Sequence, residues 1–143
     1  MSALVDTSVI VPALVDQLPN HPVCLSLFAA LTNGEERPVC STHAIAETYS
    51  VLTALPLRRR VHPADAAQII EQNLMTRFQI VELTADDYRG AFQRVASAGL
   101  RSGIVYDALH LAAAMKTGCS RIYTYNIEHF KALGVDAIEV TSP

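Results

Sequence analysis

Three carboxylates in this chain stand among residues that do not normally surround surface acids. Asp6 follows the apolar run Leu4-Val5 and precedes two small hydroxyl residues, Thr7 and Ser8. Glu47 sits in a segment whose apolar positions are Ile45, Tyr49, Leu52 and Leu55. Asp107 heads the stretch Asp107-Ala108-Leu109-His110-Leu111-Ala112-Ala113-Ala114. Each acid has a local explanation when taken singly: a strand-end cap, a polar-face residue and a first-turn acid. Burying a carboxylate without a partner is costly, so three of them together call for a cation or nearby basic residues. The pattern therefore favours one shared site. Carboxylates suit hard divalent cations, and Mg²⁺ completes its shell with waters and phosphate oxygens. Such an ion activates water and stabilises charge on a phosphoryl group. The absence of accompanying His or Cys ligands disfavours structural zinc. Thr124-Tyr125-Asn126 adds polar groups at another strand end. Asn126 is placed to meet a metal-bound water or a phosphate, or to cap the helix that follows it.

The elements that must hold these residues alternate along the chain. Ala3–Asp6, Pro38–Ser41, Phe78–Leu83, Ile122–Thr124 and Ala137–Val140 read as strands. Thr7 or Ser8 caps a helix running to about Asp16, with Pro12 near its first turn. Further helices are expected over 21–31, from 42 to about 55, from 63 to about 75, from 85 to 98, over 107–117 and over 126–133. Asn33-Gly34, Pro56, Gly99, Gly118 and Gly134 supply the stops. Strands alternating with helices predict an α/β fold, a central parallel sheet of about four to five strands flanked by helices. In such a sheet, ligands bind outside the carboxyl ends of the strands. Asp6 is expected at one such end.

Bulk properties narrow the function. The 143 residues fit one domain, 1–143, with a core large enough to fold unaided. Half the residues are apolar and 17% are charged, which excludes general disorder. Apolar runs stop well short of a membrane span of about 18 residues. The N-terminus has no basic region ahead of its apolar run, so a cytoplasmic location is expected and no membrane partner. The net charge of −3 argues against gripping nucleic acid by bulk charge, though not against acting on it locally. Cys24, Cys40 and Cys119 are far apart and read as small buried hydrophobes.

The sequence resembles the PIN domain, and within it the VapC-type toxins of toxin–antitoxin pairs. The matching pieces are Leu4-Val5-Asp6-Thr7-Ser8-Val9-Ile10, Ala46-Glu47-Thr48-Tyr49, Tyr106-Asp107-Ala108-Leu109-His110-Leu111-Ala112-Ala113-Ala114 and Thr124-Tyr125-Asn126-Ile127-Glu128-His129-Phe130. They span nearly the whole chain in the family's order. The resemblance implies a Mg²⁺- or Mn²⁺-dependent endoribonuclease. Asp6 and Asp107 would be its principal metal ligands. Glu47 would ligate metal directly or through water, or orient the attacking water. The family often has a fourth acid where this chain has Asn126, and the neutral residue lowers the charge of the site. Thr7, Ser8 and Thr124 would position carboxylates or phosphate. The implied partners are an RNA substrate, a small antitoxin covering the acidic site, and a second copy in a homodimer.

Other residues carry weaker signals. Arg58-Arg59-Arg60 is the densest charge in the chain and is able to track an RNA backbone. Arg101 lies in the small-residue loop before Asp107. His110 shares a helix face with Asp107, and His43 with Glu47; both read first as packed, hydrogen-bonded histidines. Tyr49 and Tyr106 read as core or rim. Two other functions compete: an aspartate-dependent phosphatase or phosphoryl-transfer domain using Asp6, and a non-catalytic PIN-like binding module. The first is weakened by Ser8, where a dehalogenase-like enzyme wants a second aspartate.

Overall fold

The computed structural model describes residues 2–143. Ala3–Val5 forms β1, and all three residues are buried, as a central strand covered on both faces requires. The other strands are β2 (Val39–Ser41), β3 (Gln79–Val81), β4 (Arg121–Tyr123) and β5 (Glu139–Thr141). They form one sheet in the order β3-β2-β1-β4-β5, with every neighbouring pair parallel. The helices are α1 (Thr7–Leu14), α2 (His21–Thr32), α3 (Thr42–Ala54), α4 (Pro63–Ile70), α5 (Ala85–Ser97), α6 (Ile104–Lys116) and α7 (Ile127–Ala132).

The pleat divides the core into two. Leu4, Val39, Val81 and Ile122 face one side, where they meet Leu109 and Leu111 of α6 and Phe130 of α7. Val5 and Cys40 face the other side with Ile10, Phe28 and Leu52 from α1 to α3 and Leu74 from the turn after α4. Alternate strand residues thus feed opposite layers, the period-two rule in a doubly covered sheet. The chain winds from β1 through β2 to β3 and then returns to β4 on the far side of β1. The strand order therefore reverses between β1 and β4. A crevice opens at such a switch point, outside the carboxyl ends of the strands.

Several boundaries differ from the sequence expectation. The residue that begins α1 is Asp6, whose carbonyl accepts from Val9 N and Ile10 N. Thr7 and Ser8 lie inside the first turn and do not cap it; the Ser8 hydroxyl donates instead to the Asp6 carboxylate. α1 ends at Leu14, before Asp16, and Pro12 lies within it beyond the first turn. α4 stops at Ile70 and continues as a π-helical turn, Glu71–Met75, which brings Leu74 fully into the core. α6 begins at Ile104, so Asp107 lies within its first turn rather than at its head. On α5, Thr84 and Asp87 form a reciprocal capping box. Among the described residues, no helix is long and apolar enough to cross a membrane.

Candidate active site

Asp6 stands where β1 ends, and its backbone N–H still pairs with Tyr123 O of β4. The residue is only 1% exposed. Burial of that kind demands donors, and the first turn of α1 and the segment after β4 supply them. Oδ2 accepts from Ser8 Oγ at 2.8 Å, from Thr124 Oγ1 at 2.7 Å and from Asn126 Nδ2 at 3.4 Å. Thr124 is itself fully buried, and its hydroxyl also accepts the Asn126 N–H at 2.9 Å. Ser8 Oγ accepts the Tyr125 N–H at 3.0 Å. Asn126 begins α7 but caps it by position alone, because its amide is turned to Asp6.

The other oxygen of Asp6 faces His110. His110 Nε2 lies 3.5 Å from Asp6 Oδ1 and 3.4 Å from Glu47 Oε1, and its Nδ1 lies 3.1 Å from Ser41 Oγ. Asp6, Glu47 and His110 all come within 4.8 Å of one another. His43, one turn before Glu47 on α3, lies 3.2 Å from Glu47 Oε2. Asp107 stands apart from this trio and takes a different histidine: His129 Nδ1 of α7 is 2.8 Å from its Oδ2. Glu47, Asp107, Asn126, Thr7 and Ser8 nonetheless line one cleft of about 450 Å³, with Gly103, Tyr106 and His129 at its wall. That volume falls within the range of small-molecule sites, roughly 300–1,000 Å³.

The electrostatics follow from this wiring. Burial works to raise the Glu47 pKa, but hydrogen bonds from His110 and His43 and the charge of His110 outweigh it; the carboxyl is held well below the usual range. Burial raises Asp107, the His129 contact offsets part of the rise, and the charge of Asp6 adds to it. Asp6 and Asp107 therefore sense each other across the cleft. Burial alone would lower His110, but the Glu47 hydrogen bond and the charges of Asp6, Glu47 and Asp107 prevail and favour the imidazolium. The Thr7 hydroxyl is buried with no partner at hydrogen-bonding geometry, and exerts only a minor pull on Glu47.

The donor set fits a hard divalent cation. Carboxylates of Glu47 and Asp107 line the cleft, Asp6 lies within ligand distance of Glu47 and His110, and Thr7 borders the same space. The packed-histidine reading of His110 and the His43–Glu47 hydrogen bond both hold, but His110 also bridges Asp6 and Glu47. Arg101 is exposed on the loop ahead of α6; among the described residues it makes no hydrogen bond or ion pair and it does not line the cleft. His129 is the group that sequence reasoning missed. The one available signal was its spacing, one turn after Asn126 and beside the core residue Phe130, which turns His129 outward.

The family model described as PIN domain matches residues 3–135 of this chain. The chain belongs to the PIN domain family. Its PIN domain relatives include Ribonuclease VapC27 of Mycobacterium tuberculosis, 36% identical over 110 residues, which cover 77% of this chain and 74% of that protein. Among solved structures, VapC20 of Mycobacterium tuberculosis, described as a sarcin-ricin loop cleaving toxin, superposes with a TM-score of 0.74 at 23% identity, covering 96% of this chain and 98% of that one. VapBC2 from Rickettsia felis, bound to a DNA fragment from their promoter, gives 0.67 at 17% identity with both chains fully covered. At those identities the structures establish the PIN fold alone.

Proposed function

We propose that this PIN domain is a Mg²⁺- or Mn²⁺-dependent endoribonuclease, the toxin of a toxin–antitoxin pair, hydrolysing RNA phosphodiester bonds in the cleft at the end of β1. What supports this reading is a cleft lined by Glu47 and Asp107, with Asp6 gathered to Glu47 and His110 and near enough to Asp107 for its charge to be felt. The relative named a ribonuclease supports the substrate class. Asp6 and Asp107 would hold the ion, with Glu47 as a direct ligand or acting through water. The bound ion supplies an activated water and neutralises charge on the phosphoryl group.

The chain's own groups do the remaining work. Ser8, Thr124 and Asn126 fix the orientation of the Asp6 carboxylate. Supporting hydrogen bonds of this kind tune metal ligands and are costly to remove. His43 and His110 keep Glu47 ionised and directed, ready to orient the attacking water. His129 orients Asp107. Thr7, whose buried hydroxyl pulls weakly on Glu47, would help position that carboxylate. Asn126 contributes donors without a fourth negative charge, which reduces repulsion of the phosphate backbone. The phosphatase alternative is disfavoured because Ser8 stands where a dehalogenase-like enzyme wants a second aspartate, and its hydroxyl is spent on the Asp6 carboxylate.

A small antitoxin covering the acidic cleft, a homodimer and a cytoplasmic setting complete the proposal; the VapBC2 assembly among the structural neighbours supports the partner class. The test is RNA cleavage with Mg²⁺, with EDTA, and with Asp6→Asn. Cleavage is expected only with metal and the intact carboxylate. Activity that persists in EDTA overturns the reading, whereas RNA bound but never cleaved by the wild-type protein supports the non-catalytic binding module.

A further inference from the structure

Beside the carboxylates, the cleft carries an aromatic feature that the hydrolytic chemistry does not use. Tyr106, the residue before Asp107 on α6, lines the cleft and is 48% exposed. The ring stays half exposed although the seven buried residues of α6 begin immediately after it, at Asp107. The ring is also fixed in place. His43 of α3 stacks on it with centroids 4.8 Å apart and planes 10° from parallel. His43 is in turn tilted against buried His110, with centroids 5.6 Å apart, and bonded to Glu47. The Tyr106 ring is therefore backed by the same histidines that hold the acids. On its edge stands Gly103, where an added Cβ would come 3.9 Å from Tyr106 Cδ2, so the approach there is not crowded.

Building on the ribonuclease reading, we infer that the His43-backed ring of Tyr106 is a stacking platform for one base of a single-stranded RNA substrate, next to the phosphate at Asp107. The reasoning is geometric. Asp107 and Tyr106 are consecutive, so a phosphate at the carboxylates puts a flanking base within reach of the ring. Unpaired bases are recognised by stacking on aromatic side chains. A ring already pinned on one side loses little freedom when a base lands on the other. The acidic cleft offers a base no other large flat surface, since Tyr106 is its one aromatic wall besides the smaller imidazole of His129. The platform thus chooses an unpaired nucleotide at the scissile position and leaves the hydrolytic step to the acids.

The experiment uses the full chain in Ca²⁺, a hard cation chosen to limit turnover, and short single-stranded oligoribonucleotides carrying 2-aminopurine at successive positions. Stacking quenches the fluorescence of that base. The wild type is expected to quench one position most, and Tyr106→Phe and Tyr106→Trp are expected to keep the quench. Tyr106→Leu is expected to lose it and to bind about tenfold or more weakly, the loss typical of one stacked base. In Mg²⁺, Tyr106→Leu is expected to raise KM with kcat little changed. Equal binding by wild type and Tyr106→Leu, with no quench at any position, overturns the platform and leaves the nuclease reading intact. A wild type that quenches and loses the signal in Tyr106→Leu, yet cleaves no RNA in Mg²⁺, keeps the platform and overturns the nuclease.

Discussion

At the residue scale the central fact is a buried imidazole between two acids. His110 sits within 3.5 Å of both Asp6 and Glu47 and is 1% exposed. Removing one partner from such a buried set leaves uncompensated charge, which typically destabilises a protein by about 3–5 kcal/mol. His110→Leu is expected to lower stability by that order in chemical denaturation. Mn²⁺ is expected to raise the melting temperature of His110→Leu by more than that of the wild type, because a cation replaces the missing positive charge. Equal metal shifts in both proteins would separate His110 from the proposed ion site. Cys40, buried in β2, makes a different prediction. Burial pushes its thiol from 9.0 up to about 12. A raised folded-state pKa favours the neutral thiol in the fold, so this contribution is fully present below pH 9 and is lost as pH rises from 9 towards 12. Wild-type stability should therefore fall over that range by an increment that Cys40→Ala lacks, measured as denaturation midpoints at each pH.

At the scale of elements, the site depends on how helices begin and end at the sheet. α3 starts directly from β2, and Ser41 serves both, its hydroxyl accepting from Ala44 N and meeting His110. That join aims Glu47, two turns further on, at the cleft. α6 enters the cleft by its first turn and leaves through Gly118, whose φ of +66° turns the chain towards β4. A Cβ there would touch nothing within 4 Å, so the penalty in Gly118→Ala is conformational alone. It should destabilise by roughly 1–2 kcal/mol, with the melting temperature falling by several degrees. Cleavage activity below the melting transition should be unchanged, because the site lies at the other end of α6. Much of this layer was legible in the sequence: the Gly stops and the five strands follow local rules. The π-helical turn at Glu71–Met75 and the early start of α6 were not, because both answer to packing. Leu74 turns fully into the core, and Ile104 and Val105 pack against the layer of α6 and α7.

At the scale of the whole molecule, the proposed function requires an acidic protein to hold a polyanion. Arg58, Arg59 and Arg60 are exposed, and their loop is tied down where the Gln17 amide donates to Arg59 O at 2.9 Å and accepts Arg59 N–H at 3.1 Å. A fixed arginine loop is suited to phosphate binding. Replacing Arg58 and Arg60 together with Ala should flatten the salt dependence of RNA binding by roughly 1.4 logarithmic units of slope, about 0.7 for each phosphate no longer neutralised. An unchanged slope would return the loop to plain surface. The sequence by itself determined the alternation of elements, the apolar strands and the acids that do not belong on a surface, because these are local patterns of period and polarity. It also carried the family likeness, through four short motifs in order. Only the tertiary structure decided which histidine serves which acid. His110 reaches Glu47 across 63 positions, Thr124 reaches Asp6 across 118, and His129 reaches Asp107 from a different helix. Those meetings are fixed by the reversal of strand order between β1 and β4, which juxtaposes chain segments that share no local pattern.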